Sequence, residues 1–162
     1  MGTISRKRAG AIHEQGVLSR DHLVRRMLSQ KRDRQLYVSP ITHPRQIGES
    51  SIDVSLGNEF FVVARTRAPS FRLSNTSMTI PPSYYESHKL GLDETLFLHP
   101  GEFILGSTME YFALPADVMA YVIGKSTLGR LGLIIATATH VAPAYKGTIT
   151  LELTTSAQSL LN

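Results

Sequence analysis

The chain of 162 residues contains no cysteine and lacks any long apolar run. Without cysteine there can be no disulfide bond, no cysteine nucleophile and no cysteine-ligated zinc. No apolar stretch approaches the roughly 20 residues that a membrane-spanning helix needs. The basic N-terminus is not followed by the apolar segment of a secretory signal. With 42% hydrophobic residues, the chain is predicted to form one globular domain in the cytoplasm, without a membrane partner.

Acidic residues are scarce in the first part of the chain. Residues 1–72 hold 13 Lys and Arg against 6 Asp and Glu, whereas residues 73–162 hold 4 against 7. A basic half is compatible with nucleic-acid binding, but no nucleic-acid-binding motif accompanies it. The favoured interpretation is a solvated helix surface, and nucleic acid is not expected as a partner.

A helix is predicted near the N-terminus. Ser19 is a typical N-cap residue, and the segment DHLVRRMLSQ that follows places Leu23 and Met27 on one helical stripe. Residues 1–19 show no strong pattern and are interpreted as an N-terminal extension. The globular domain is assigned to residues 20–162.

Beyond this helix, period-two alternation and turn residues predict many short strands. Residues 65–92 are rich in Pro, Ser and Thr, and they are predicted to be mostly irregular with a strand near residues 77–80. The other predicted strands cover residues 36–38, 51–56, 59–64, 95–98, 102–105, 109–114, 118–123, 133–139 and 147–155. This succession is typical of an all-β barrel or sandwich.

The segment GKSTLGRLGL, residues 124–133, concentrates groups that bind anions. Ser126 or Thr127 is a suitable N-cap for a short helix, whose free N–H groups would then face an anion. Ser126 and Arg130 lie four positions apart and so share a helix face, while Lys125 adds positive charge. The segment therefore fits a phosphate chain, with a capped turn and a surface arginine as an equally weighted alternative.

A Walker A loop is excluded at this segment, although GKST matches the end of that motif. The motif needs a glycine five residues before Gly124, and Met119 stands there instead. Val122 and Ile123 are strand formers. The spacing therefore does not fit a P-loop.

Glu152 is the only acidic residue after Asp117, and it lies among threonines in a predicted strand. A partly buried carboxylate there would suit a general base, but from the strand alone an ordinary glutamate on a solvated face is favoured. Asp53 is expected to cap the turn at Gly57-Asn58 or to pair with a basic residue. The six histidines show no metal-ligand spacing, so no metal site is predicted.

Four segments, in the same order, resemble the dCTP deaminase family of the trimeric dUTPase-like superfamily. They are DHLVRRML (21–28), SSIDVSLGNEF (51–61), the nearly ungapped block LFLHPGEFILGSTMEYFALPADVMAYVIGKSTLGRLGL (96–133) and THVAPAYKGTITLEL (139–153). The resemblance covers about residues 21–157, and its central block is too long to be a chance match.

The resemblance implies a mainly β fold, a distorted jelly-roll β-barrel of the dUTPase-like type with a short N-terminal helix. It also implies a homotrimer with nucleotide sites between subunits. The implied function is that of a zinc-independent dCTP deaminase, a hydrolase acting on a cyclic amidine that converts dCTP and water to dUTP and ammonia. This reaction belongs to dUTP biosynthesis in pyrimidine nucleotide metabolism, and Mg²⁺ accompanies the triphosphate.

The resemblance also implies roles for individual residues. Lys125, Ser126, Thr127 and Arg130 would bind the nucleotide and its phosphates. Lys125 stands where the family often has arginine, so the charge is kept but a bidentate contact is lost. Glu152 would be the general base, taking a proton from the water that attacks C4 and delivering one to the leaving ammonia. Ser126 and Arg130 would act with it in catalysis, Ser126 by helping to position the water.

A backbone carbonyl at Ala138 or Thr139 is implied to position the same water. Three departures from the family pattern stand beside these roles. Many superfamily members have Asp-Pro-Gly at residues 142–144, where this chain has Ala-Pro-Ala. Because dUTPases use that aspartate in sugar recognition and water activation, its absence argues against dUTP hydrolysis. Ser55 replaces a frequent arginine, and the chain ends at Asn162 where the family continues through a strand and tail that close over the nucleotide. A non-catalytic nucleotide-binding or structural subunit and a dUTP pyrophosphatase are therefore kept as alternatives.

Overall fold

The computed structural model describes residues 16–63, 84–91 and 93–156. Two α-helices, α1 (Arg20–Met27) and α2 (Ser126–Arg130), and a 3₁₀ helix (Pro44–Gln46) accompany the strands. The strands are β1 (Tyr37–Ser39), β2 (Glu59–Val63), β3 (Tyr85–Lys89), β4 (Phe103–Ala113), β5 (Ala120–Tyr121), β6 (Leu133–Ile135), β7 (His140–Val141) and β8 (Lys146–Thr155). The predicted mainly β fold is confirmed. No described helix has the length and apolar character needed to cross a membrane.

The predicted N-terminal helix is confirmed, with Ser19 as its N-cap. The Ser19 hydroxyl does not cap the backbone, because it contacts Nδ1 of His22 at 3.0 Å. Leu23 is buried, and the Leu36 N–H after the helix donates to the Arg26 carbonyl at 3.1 Å. The helix therefore packs its apolar stripe onto the sheet beside β1.

Among the described residues, six strands form one antiparallel sheet in the order β3-β2-β4-β8-β6, with β1 also paired to β4, and β5 pairs with β7 in a second sheet. The long strands β4 and β8 are the centre of the first sheet. Their register runs from Phe103 opposite Thr154 to Ala113 opposite Lys146. It is interrupted between Ser107 and Tyr111, where one strand bulges. The predicted strand over residues 147–155 is confirmed as β8.

The core lies on one face of this sheet and consists of two clusters of buried apolar side chains. One cluster joins α1 to β1 and the end of β4, through Leu23, Leu36, Val38, Phe112, Leu114 and Val141. The other joins β2, β4 and β8, through Phe60, Leu98, Ile104, Leu151 and Leu153. The alternation within β4 and β8 thus determines which side chains point away from the core.

The predicted strand over residues 51–56 is wrong. This segment makes two isolated bridges, Ile47 to Ile52 and Leu56 to Thr108, and no strand ladder. The Ser55 N–H is instead bonded to a carboxylate, that of Glu110. The alternation of this segment therefore does not reflect a ladder partner.

Other strand predictions differ from the structure in length or position. Residues 95–98 form no strand, and β3 lies within a stretch predicted to be irregular. The strands predicted over residues 102–105 and 109–114 are one strand, β4, because Gly106 continues the ladder where a side chain would crowd Leu56 and Phe60. The strand predicted at residues 59–64 is confirmed as β2, those at 36–38, 118–123 and 133–139 are shorter or shifted, and that near 77–80 lies outside the described residues.

Candidate functional site

Helix α2 begins at the centre of the anion-binding segment, but its cap differs from the prediction. Lys125 is the N-cap, with extended backbone at φ −65° and ψ 130°, and Ser126 and Thr127 are the first helical residues. The prediction that Ser126 or Thr127 caps this helix is therefore wrong. No side chain caps the helix, so the two hydroxyls are not used to satisfy its backbone.

Three polar side chains of α2 are exposed and have no hydrogen-bond or ion-pair partner among the described residues. Ser126, Thr127 and Arg130 make no side-chain hydrogen bond or ion pair within the described ranges 16–63, 84–91 and 93–156. Arg130 lies in the last turn, where a positive charge interacts favourably with the helix dipole. These side chains can therefore contact a ligand without first breaking an interaction of the folded chain.

Lys125 differs from its neighbours because it has a partner. Its Nζ donates to Oδ2 of Asp53 at 2.7 Å, and the two side chains are 56% and 47% exposed. The prediction that Asp53 pairs with a basic residue is confirmed. A shallow cavity of about 260 Å³ lies beside this pair and is also lined by Arg45 and Gln46.

Glu152 lies on the face of β8 that points away from the core. Its strand neighbours Leu151 and Leu153 are buried, whereas Glu152 itself is half-buried. Its backbone N–H donates to Oγ1 of Thr137 at 2.6 Å, and its carbonyl accepts from the Ala136 N–H at 2.8 Å. Its carboxylate has no hydrogen-bond or ion-pair partner in the part of the chain that the structure describes.

Apolar side chains of the neighbouring strands share the outward face with Glu152, while Thr150 and Thr154 flank it along β8. Leu105 of β4 lies directly opposite it, and Phe61 of β2 lies opposite Leu105. On the other side, Ile134 of β6 lies opposite Thr154. Phe61 and Ile134 are 43% and 47% exposed. We call this surface, formed by Phe61, Leu105, Glu152 and Ile134, the outward face. Large apolar groups exposed around one carboxylate are typical of a surface that another molecule covers.

The fold connects α2 to the strand that carries Glu152. The chain leaves α2 and enters β6, which pairs with β8, and the Gly132 carbonyl accepts the Ser156 N–H at 3.3 Å. No contact between the Glu152 carboxylate and the Ser126 or Arg130 side chain is found among the described residues. The strand that follows α2 is thus paired with the strand that carries Glu152, but no described hydrogen bond or ion pair joins Glu152 to α2 within a single chain.

The two carbonyls implied to position water are in different situations. The Thr139 carbonyl accepts the Val122 N–H at 2.8 Å. The Ala138 carbonyl has no such backbone partner within the described residues, and so it is the better acceptor for a water. The Ala-Pro-Ala segment that follows forms a turn, in which the Tyr145 N–H donates to the Ala142 carbonyl at 3.2 Å.

Glu110 is a buried carboxylate that was not predicted as part of any site. It is 0% exposed. It accepts from Nε2 of Gln46 at 2.6 Å and from the Ser55 N–H at 2.9 and 3.1 Å. The alternation along β4 was the available signal, since Glu110 has the same parity as the buried Ile104 and Phe112. In the described part of the chain, no three His, Asp or Glu side chains are arranged to hold a metal ion.

The chain belongs to the dCTP deaminase-like family, whose model matches residues 17–161. It is 41% identical over 123 residues to a protein of Dictyoglomus turgidum named "dCTP deaminase, dUMP-forming", a match that covers 75% of this chain and 62% of that protein. It is 40% identical over 120 residues to the dCTP deaminase of Halorubrum lacusprofundi, which covers 73% of this chain and 58% of the relative. The chain thus spans less than two thirds of the length of these relatives.

A solved structure supports the fold. The 2'-deoxycytidine 5'-triphosphate deaminase from Agrobacterium tumefaciens matches with a TM-score of 0.60 and 23% sequence identity, over 86% of this chain and 42% of that one. The membership in the family and the mainly β fold predicted from the motifs are therefore confirmed.

Proposed function

We propose that this protein deaminates dCTP by hydrolysis. Water attacks C4 of the cytosine ring, the bond from C4 to the exocyclic nitrogen breaks, and dUTP and ammonia leave. Glu152 takes a proton from the attacking water and returns one to the leaving nitrogen. The observation that carries this proposal is the half-buried Glu152 carboxylate without a partner among the described residues, in a chain that belongs to this family.

The environment of Glu152 supports a role in proton transfer. Leu105 opposite and Ala136 alongside offer no cation or hydrogen-bond donor that would hold the carboxylate in one state. A nucleotide and a partner subunit covering this face would exclude bulk water, which strengthens the remaining electrostatic interactions. Ser126 and the Ala138 carbonyl are the proposed acceptors that position the attacking water.

The proposed phosphate contacts come from the start of α2. Lys125 and Arg130 provide positive charge, and Ser126 and Thr127 provide hydroxyl donors, all on exposed positions. Mg²⁺ enters as part of the substrate, bound to the triphosphate. Water activation is proposed to need no zinc, so a zinc-selective chelator should leave the rate with Mg·dCTP unchanged.

The outward face supports a homotrimer with nucleotide sites between subunits. Within one chain Glu152 and α2 form no hydrogen bond or ion pair among the described residues, and the exposed Phe61 and Ile134 lie on strands near the one that carries Glu152. Sedimentation should give a trimer for the natural sequence and smaller species for Ile134→Asp. Leu28→Asp is the matched control, because Leu28 is 73% exposed at the end of α1 and away from this face. The proposed location is the cytoplasm, where deoxynucleotides are made.

The test of the activity is incubation with Mg·dCTP, with ammonia and the nucleotide product measured separately. Glu152→Gln should lower the turnover at least about 10²-fold, the usual scale for a general base. Glu86→Gln, an exposed position on β3, should keep the natural rate. Binding of dCTP without turnover by the natural sequence would instead favour a non-catalytic subunit.

A second candidate is a deaminase that releases dUMP and pyrophosphate. The relatives from Dictyoglomus turgidum and Methanosphaera stadtmanae, named "dCTP deaminase, dUMP-forming", favour it. Ala142 argues for dUTP as the final product here, since it stands where many superfamily members have an aspartate that dUTPases use in water activation. Chromatography decides between them, and Ala142→Asp should increase any pyrophosphate release if that position controls the second step.

A further inference from the structure

The ion pair between Lys125 and Asp53 joins the start of α2 to a segment 72 positions earlier in the chain. The two atoms are 2.7 Å apart, and both side chains are about half-exposed. Exposed pairs of this kind contribute little to stability. The pair can nevertheless matter for binding, because it fixes the position of the lysine ammonium group.

Asp53 is a firm support because its backbone is fixed on both sides. Its own N–H donates to the Gln46 carbonyl at 2.8 Å. The Gln46 side chain and the Ser55 N–H both donate to the buried Glu110 carboxylate, at 2.6 and 2.9 Å. The Asp53 carboxylate therefore projects from a segment that is anchored on the strand β4.

We propose that Asp53 is a positioning residue, which holds Lys125 where its ammonium group binds the phosphates of the nucleotide; this inference rests on the proposed function. An ammonium group has three donors, and the Asp53 contact uses one of them. Two donors remain for phosphate oxygens. Glu110 supports this arrangement indirectly, because it accepts hydrogen bonds from the Gln46 side chain and the Ser55 N–H.

Two opposing effects decide whether removing the Asp53 charge weakens or strengthens nucleotide binding. A free lysine side chain loses rotamer freedom when it binds, which corresponds to as much as about thirtyfold in an equilibrium constant. The Asp53 charge repels phosphate, which at roughly 7 Å in water without salt corresponds to about threefold per unit charge. At the roughly 0.15 M salt chosen for the experiment, where the Debye length is about 8 Å, this falls to about 1.5-fold per unit charge, or about fivefold for four charges, and Mg²⁺ lowers it further. Loss of positioning is the larger effect, so removing the Asp53 charge should weaken binding.

The experiment is a double-mutant cycle on affinity for Mg·dCTP and for inorganic tripolyphosphate, measured by calorimetry on the full chain. Asp53→Asn should weaken both about three- to tenfold, and Lys125→Met more. In the Lys125→Met background, Asp53→Asn should change affinity less than twofold. For Asp53→Asn alone, the apparent KM for dCTP should change more than the turnover at saturating dCTP, because the proposed role of Lys125 is in binding and not in the chemical step.

The matched control is Glu59→Gln, which breaks the exposed pair between Glu59 and Lys89 at 3.0 Å on β2 and β3. It should leave both affinities unchanged. The positioning role would be overturned if Asp53→Asn bound these ligands as tightly as the natural sequence or more tightly. It would also be overturned if Asp53→Asn weakened binding equally in the natural sequence and in Lys125→Met, or if the natural sequence bound no tripolyphosphate. Coupled effects on tripolyphosphate without any dCTP turnover would retain the positioning role and refute the proposed activity.

Discussion

Two glutamates on neighbouring strands of one sheet have opposite surroundings. Glu110 on β4 is 0% exposed and accepts three hydrogen bonds, from the Gln46 side chain and the Ser55 N–H. Glu152 on β8 is half-buried, and its carboxylate accepts none from the residues that the structure describes. The same functional group is thus a fixed part of the structure in one place and available for chemistry in the other.

The difference follows from what each carboxylate has to satisfy. A fully buried carboxylate is tolerated only when its oxygens accept hydrogen bonds. The orientation of Gln46 is fixed, because its Oε1 already accepts the Thr42 N–H at 3.1 Å, so its amide must donate to Glu110. Glu152 retains contact with solvent and needs no such partners. Removing each group in turn should therefore affect different properties.

The largest effect on stability is expected from Glu110→Ala. The substitution leaves the Gln46 amide and the Ser55 N–H buried without an acceptor and opens a cavity. We expect the free energy of unfolding to fall by about 3 kcal/mol or more, measured by urea denaturation.

Glu110→Gln refines that measurement. The amide NH₂ of the new glutamine would face at least one of the two donors, the Gln46 amide or the Ser55 N–H. The free energy of unfolding is therefore expected to fall by a smaller amount, about 1–3 kcal/mol. Glu94→Gln is not a suitable control because Glu94 accepts the Gly91 N–H at 2.7 Å, whereas Glu86→Gln removes only an exposed contact of 4.0 Å with His88. Stability equal to that of the natural sequence in both Glu110 variants would refute the anchoring role.

The reverse pattern is expected for Glu152→Gln. The unfolding free energy should change by no more than about 0.5 kcal/mol, since no described partner is lost. The turnover of dCTP should nevertheless fall at least about 10²-fold, which corresponds to about 2.7 kcal/mol in activation free energy. Paired denaturation and ammonia-release measurements check this, and a large loss of stability would place Glu152 in the same class as Glu110.

A third substitution changes stability without touching either carboxylate. Ala144 has a positive φ of 61°. It directly follows Pro143 and is the third residue of the turn formed by residues 142–145. An L-residue there costs about 1–2 kcal/mol relative to glycine, and the extra freedom of glycine in the unfolded chain offsets part of this. Ala144→Gly should therefore stabilise the protein by about 1 kcal/mol in urea denaturation, and a destabilised variant would contradict this account of the turn.

The smallest effect is expected in α2. A methyl group added at Gly129 would meet no atom within 4 Å, and alanine is the better helix former. Gly129→Ala should stabilise the protein by about 0.5 kcal/mol, since the helix is short and exposed. The turnover of dCTP should be measured in this variant and in Ala144→Gly as well. If it changes in proportion to the free energy of unfolding in these two variants, the loss of turnover in Glu152→Gln has to be corrected for its change in stability.

The amino-acid sequence by itself determined the features that depend on local pattern. The N-terminal helix and the strand β8 follow from periodicity, and both are present. The long motif blocks determined the family. These features could be predicted because neighbouring residues carry the information.

Only the tertiary structure decided which distant residues meet. Glu110 is bonded to a side chain 64 positions away, and Asp53 to one 72 positions away. The segment with Ser55 alternates like a strand, yet it is held by a buried carboxylate and not by a ladder. Lys125 occupies the N-cap position of α2, where a residue with a hydroxyl group was expected. Such pairings depend on how whole elements pack, and the packing energy of a contact between distant residues leaves no periodic signal in the chain.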